Sequence, residues 1–113
     1  MEKNTFSEIV DLLIKKTENN SLKWSKKDKS VCFEVLIDDM EVKVSHYYSP
    51  ILEDKGVVLS ILEKSEIVED LEFYKQSNPE EYKVLSQFYF LIETTIKRRN
   101  DLLQSLIQNL RKL

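Results

Sequence analysis

The stretch Val31 to His46, VCFEVLIDDMEVKVSH, carries two runs of alternating apolar and polar residues joined by a pair of aspartates. A period of two marks a strand with one buried face, and two such runs around a two-residue link mark a β-hairpin. With Asp38 and Asp39 as the loop, Ile37 faces Met40, Val35 faces Val42, Phe33 faces Val44 and Val31 faces His46, so the apolar set shares one face. On the other face Glu34 opposes Lys43, a favourable cross-strand pair, Cys32 opposes Ser45, and Leu36 stays outside. Asp-Asp is not the preferred Asn-Gly turn, which leaves room for a one-residue bulge, but a slipped register would expose the whole apolar set.

Working outward, SPILEDKG (49–56) reads as a loop, and VVLSIL as a third strand from Val57 to Leu62 that continues the sheet antiparallel. Ser65 to Ser77 is read as a short helix, because Ile67, Leu71 and Tyr74 have helical spacing within an acidic segment. Upstream, Thr5 and Glu8 have capping-box spacing, and Phe6, Ile9, Val10, Leu13 and Thr17 share one face, which predicts a helix from about Thr5 to Thr17. Asn19, Asn20 and Ser21 end it. Leu22 and Trp24 then fold back onto the core. Lys23, Lys26, Lys27 and Lys29 surround Trp24 in a pattern that also fits a base-stacking platform, but a lone tryptophan is more often core.

Asn78, Pro79, Glu80 and Glu81 give an N-cap, a first-turn proline and two dipole-favoured acids, and no glycine or proline interrupts the chain from there to Leu113. A helix of about 34 residues would be about 50 Å long, against about 35 Å for a compact domain of this size. Leu85, Phe88, Tyr89, Ile92, Ile96, Leu103, Leu106, Ile107 and Leu110 fall on one stripe, flanked by Val84, Leu91, Leu102 and Leu113. Arg99 interrupts that stripe and separates two apolar blocks. Two readings follow. Either the second block, Arg99, Leu102, Leu103, Leu106, Ile107 and Leu110, packs on a protein partner or a second copy, or a new helix begins at Asn100–Asp101 and folds back. A rival use of the same end is nucleic-acid binding through Lys97, Arg98, Arg111 and Lys112, disfavoured by net acidity and by the scatter of these residues around the helix.

Composition removes several function classes. The single glycine, Gly56, cannot build a P-loop or a dinucleotide-binding loop, so no nucleotide cofactor is expected. One cysteine and one histidine exclude an internal disulfide and a Cys/His zinc site, and no metal is expected. The longest apolar runs, IVDLLI and FYFLI, are far short of a membrane span, and the start lacks a signal-peptide pattern, which predicts a cytoplasmic protein without a membrane partner. Alanine is absent and Lys, Asn, Ile, Glu and Ser abound, as an AT-rich bacterial or phage genome would impose. The net charge of −3 is unevenly placed: residues 50–82 carry 3 basic and 9 acidic groups, and residues 83–113 carry 6 and 2. Such polarity favours head-to-tail association or a charged partner, although exposed charges are screened by salt.

Every familiar nucleophile-and-base arrangement would pass through His46, and the hairpin register puts Cys32 on the opposite face. His46 is therefore read as a residue at the rim of the core, with Tyr47 and Tyr48 beside it for packing. The pairs Asp38–Asp39 and Glu80–Glu81 are a turn and a helix start. No catalytic residues are assigned. The order of helix, SLKW (21–24), three strands and long closing helix resembles a class of small, mostly uncharacterised bacterial or mobile-element proteins of α-β-β-β-α layout. Immunity proteins, antitoxins and accessory factors can share that layout, which implies a fold and no active residues.

The expectation is one α+β domain over residues 1–113: an N-terminal helix, a three-stranded antiparallel sheet, and a long C-terminal helix with a possible break near Asn100, both helices on one sheet face. Functionally it is read as a non-enzymatic protein-interaction or regulatory module, with a homodimer through the closing helix as one form.

Overall fold

The computed structural model describes residues 1–27 and 31–113. In chain order the elements are α1 (Lys3–Glu18), β1 (Ser25–Lys26), β2 (Cys32–Ile37), β3 (Met40–Ser49), β4 (Asp54–Glu63), β5 (Glu66–Tyr74) and α2 (Pro79–Arg111). The strands form one antiparallel meander in the order β1-β2-β3-β4-β5. The α+β class, the N-terminal helix and the long closing helix are as the sequence predicts, but the sheet has five strands rather than three.

The β2–β3 hairpin has the register dictated by alternation. Ile37 pairs with Met40, Val35 with Val42, Phe33 with Val44, Glu34 with Lys43 and Cys32 with Ser45. The His46 amide donates to the Val31 carbonyl at 3.4 Å, which extends the ladder. No bulge is needed, because Asp38 takes φ 54°, a left-handed conformation that aspartate tolerates. Lys43 Nζ lies 4.0 Å from Glu34 and 3.8 Å from Glu41 on the outer face.

The two additional strands escape periodicity for different reasons. β1 is two residues long, pairing Ser25 with Glu34 and Lys26 with Phe33, too short to show alternation. β5 replaces the expected short helix over Ser65 to Ser77. Its inward residues Leu71 and Phe73 sit opposite Leu59 and Val57, while Asp70, Glu72 and Tyr74 face outward, so the acidic load falls on the solvent side of an edge strand. The register shifts between Ile61 and Leu62, where Val68 has no partner on β4 and both Ile67 and Val68 are exposed, so this part of the strand shows no alternation. β4 starts at Asp54, three residues before the expected Val57. The buried Asp54 carboxylate accepts from the amides of Lys55 (2.8 Å) and Gln76 (2.9 Å), tying β4 to the turn that leads into α2.

β4 and β5 are joined by Lys64 and Ser65, with φ of 50° and 70°. A two-residue turn with positive φ at both positions normally takes Asn-Gly. Lys64→Asn with Ser65→Gly is expected to raise the unfolding free energy by about 1 kcal/mol by relieving the left-handed penalty at both positions. A lower midpoint in urea for the double variant would contradict this.

Val42, Val44, Val57 and Leu59 form the buried inner face of the sheet, and both helices pack on it. Val10 and Leu13 come from α1, and Leu85, Phe88, Tyr89 and Ile92 from α2. Trp24 is fully buried between them, edge-on to Phe88 with ring centroids 5.6 Å apart. α1 begins at Lys3 with Glu2 at the N-cap and no side-chain cap, not at the expected Thr5–Glu8 box. The helix thus starts two residues early, and Phe6 in its first turn packs on Phe73 with ring centroids 5.4 Å apart.

On the outer face the rings of Tyr47 and Tyr74 lie over Gly56. A Cβ there would meet Tyr47 Cζ at 2.9 Å and Tyr74 Cε1 at 3.0 Å, so a larger residue would displace these rings, and the constraint comes from their close approach rather than from backbone conformation. The Tyr47 hydroxyl lies 2.8 Å from that of Tyr74 and donates to Glu72. Burial, reinforced by the Glu72 carboxylate, pushes the Tyr47 phenol above its usual range.

Candidate interaction surface

α2 is one uninterrupted helix of 33 residues, so the alternative in which a second helix starts at Asn100–Asp101 and folds back does not occur. With neither glycine nor proline after Pro79, every residue from Asn100 to Arg111 keeps an ordinary helical position. The helix packs on the sheet as far as Ile92, with Ile96 half-buried at the rim. At the rim Arg99 Nη1 donates to the Trp24 carbonyl at 3.3 Å. Arg99 thus marks the boundary between the two apolar blocks.

Beyond Arg99 every residue is exposed, and the molecule measures 55 Å along its longest axis. Leu102, Leu103, Leu106, Ile107, Leu110 and Leu113 are between 39% and 100% exposed. At 100° per residue, Leu103, Leu106 and Leu110 lie along one line, with Leu102 and Ile107 on its two sides. This is the same stripe that buries Leu85 and Ile92, continued past the edge of the body. Large exposed apolar side chains are thus contiguous along this end of the helix.

Lys97, Arg98, Arg111 and Lys112 are all exposed, Arg98 and Arg111 flanking that stripe on its two sides and Lys97 and Lys112 behind it. They form two pairs about 20 Å apart along the axis, with Asp101 between them, and do not make one continuous patch. Trp24 is buried and donates its indole N–H to Thr17 Oγ1 at 2.9 Å, so it offers no stacking platform to the neighbouring lysines. Lys29 lies outside the described residues.

A second feature was not legible in the sequence. An apolar groove of about 470 Å³ opens between α1, β5 and the first turns of α2, lined by Phe6, Val10, Leu71, Phe73 and Val84. Asp11, Glu80 and Glu81 border it, with Lys3 as the basic residue. In sequence the acids of the first turn of α2 signal only a helix dipole, and the groove needs β5, which the sequence presents as helix-like.

His46 lies at the rim of the core as expected. Its Nε2 is 3.0 Å from the Tyr82 hydroxyl, and its ring packs within 5.4 to 5.8 Å of Tyr82, Tyr89 and Phe90. Tyr47 is on the opposite sheet face, so the two do not share a pocket. The register also separates Cys32 from His46 across the sheet. Among the described residues, no group of three or more His, Cys, Asp or Glu side chains is arranged to hold a metal ion. No helix of the described residues is long and apolar enough to cross a membrane.

Burial, aided by Lys55 and opposed by Glu93, lowers the His46 pKa below 6.5. The unfolded chain then binds the proton more readily than the folded one, so stability rises with pH in this window and is lost on acidification below about pH 6.5. In a His46→Gln variant the loss of unfolding free energy between pH 7 and pH 5 is expected to be smaller than in the wild type. Equal losses would show that His46 does not carry this dependence.

No protein-family model, curated protein or solved structure matches this chain.

Proposed function

We propose that the protein is a non-enzymatic interaction module that associates through the projecting end of α2, in the first place with copies of itself. The observation that carries this reading is the unpartnered apolar stripe from Leu102 to Leu113 on a helix otherwise buried to the level expected of a core element. Leaving that stripe in water forgoes roughly 25 cal/mol for each Å² of apolar surface, a driving force that only an intermolecular contact can recover here. Arg99 ends the intramolecular contact and begins the intermolecular one.

The test is the solution mass by light scattering after size exclusion, for the wild type and for Leu103→Asp with Ile107→Asp. The wild type is expected to exceed the 13.4 kDa of one chain, and the variant to fall to it while keeping its circular dichroism and, at dilutions where the wild type is monomeric, its melting temperature. A wild type that stays monomeric at every concentration, or a variant that associates like the wild type, overturns the reading.

A further inference from the structure

We propose that the end of α2 of one copy seats in the groove between α1, β5 and the first turns of α2 of another. The inference rests on the reading above and names what that end contacts: a second copy of this chain, at a surface distant from its own α2 end. Leu103, Leu106, Ile107 and Leu110 stand at i, i+3, i+4 and i+7, the anchor spacing by which an amphipathic helix fills an apolar groove. The groove offers a matching floor. Leu71 and Phe73 of β5 are only half-buried there, because two helices leave this end of a five-stranded sheet incompletely covered.

Charge selects the same pairing. From Lys97 to Leu113 the chain has five basic residues and one acid, Asp101. The groove is bordered by Asp11, Glu80 and Glu81, with Lys3 and the Met1 ammonium, itself 3.8 Å from Glu69, as its basic groups, so that acids outnumber bases at its rim. Two α2 ends packed on each other would instead bring like charges together, which disfavours that arrangement. Within one chain the two surfaces cannot meet, since Val84 and Leu103 are about 30 Å apart along a single straight helix. The contact is therefore between copies and heterologous, giving a closed ring where the rotation closes and an open chain where it does not.

The experiment uses complementation. The tail variant, Leu103→Asp with Ile107→Asp, keeps an intact groove. The groove variant, Glu80→Lys with Glu81→Lys and Val84→Asp, keeps an intact tail, and a form with only the two lysine changes serves if the Val84 change unfolds it. All the altered positions are at least partly exposed, and folding is checked by circular dichroism. Each variant alone is expected to be monomeric where the wild type associates, with self-affinity down by at least about tenfold. Mixed, they are expected to form a one-to-one complex of twice the 13.4 kDa chain mass. A groove variant that associates like the wild type, beside a monomeric tail variant, overturns this inference and leaves the proposed function standing. Two monomeric variants that fail to combine also overturn it. A tail variant that associates normally, or a monomeric wild type, overturns both.

Discussion

Trp24→Ala is expected to remove about 3 to 5 kcal/mol of stability, the usual cost of emptying a buried aromatic site, from a domain whose total lies at about 5 to 15 kcal/mol. The size follows from what converges on one side chain. The indole is buried, stands edge-on to Phe88 at 5.6 Å and 79°, and donates to Thr17 Oγ1 at 2.9 Å. Thr17 in turn donates to the Leu13 carbonyl at 2.7 Å, so its buried hydroxyl is satisfied as both donor and acceptor. Trp24 also presents its own carbonyl to Arg99. One residue in the segment between α1 and β2 therefore ties α1 to α2 at the point where α2 leaves the body. Urea unfolding followed by far-ultraviolet circular dichroism measures the loss. A change under about 1 kcal/mol would mean that the site collapses around alanine and that Trp24 only covers a core already complete without it.

The hairpin was legible because one constraint governed it. A period of two on both sides of Asp38–Asp39 permits a single register that buries Phe33, Val35, Val42 and Val44 together, and that register is the one formed. The closing helix was legible for a different reason: after Pro79 the sequence has no residue that stops a helix, and its stripe continues on both sides of Arg99.

β5 was not legible because an edge strand needs few inward apolar residues. Leu71 and Phe73 suffice, and the rest of the segment is free to carry acids that resemble a solvated helix. Its turn gave no warning either, since Lys64–Ser65 adopts a conformation usually announced by Asn-Gly. Missing β5 meant missing the groove, half of whose floor is Leu71 and Phe73. The α2 end was visible in sequence as excess apolar surface; the surface proposed to receive it exists only once the fifth strand is in place.

Ile92→Ala and Leu106→Ala are expected to part company by about 2 to 4 kcal/mol, although the two residues are indistinguishable by periodicity. They lie two heptads apart and so face nearly the same direction from the helix axis. Ile92 is fully buried against the sheet, and its truncation leaves a cavity that costs about 2 to 4 kcal/mol. Leu106 is half exposed and touches no residue of the core, so in dilute monomer its truncation is expected to stay within about 0.5 kcal/mol of neutral. At higher protein concentration the comparison changes, because association stabilises the folded chain by mass action and Leu106→Ala weakens only that part. Unfolding of both variants and the wild type at two protein concentrations separates the terms. Ile92→Ala should be destabilised equally at both, whereas Leu106→Ala should fall below the wild type only at the higher one. A large, concentration-independent loss for Leu106→Ala would require the end of α2 to pack on its own body in solution, and the contact between copies would then have no surface left to use.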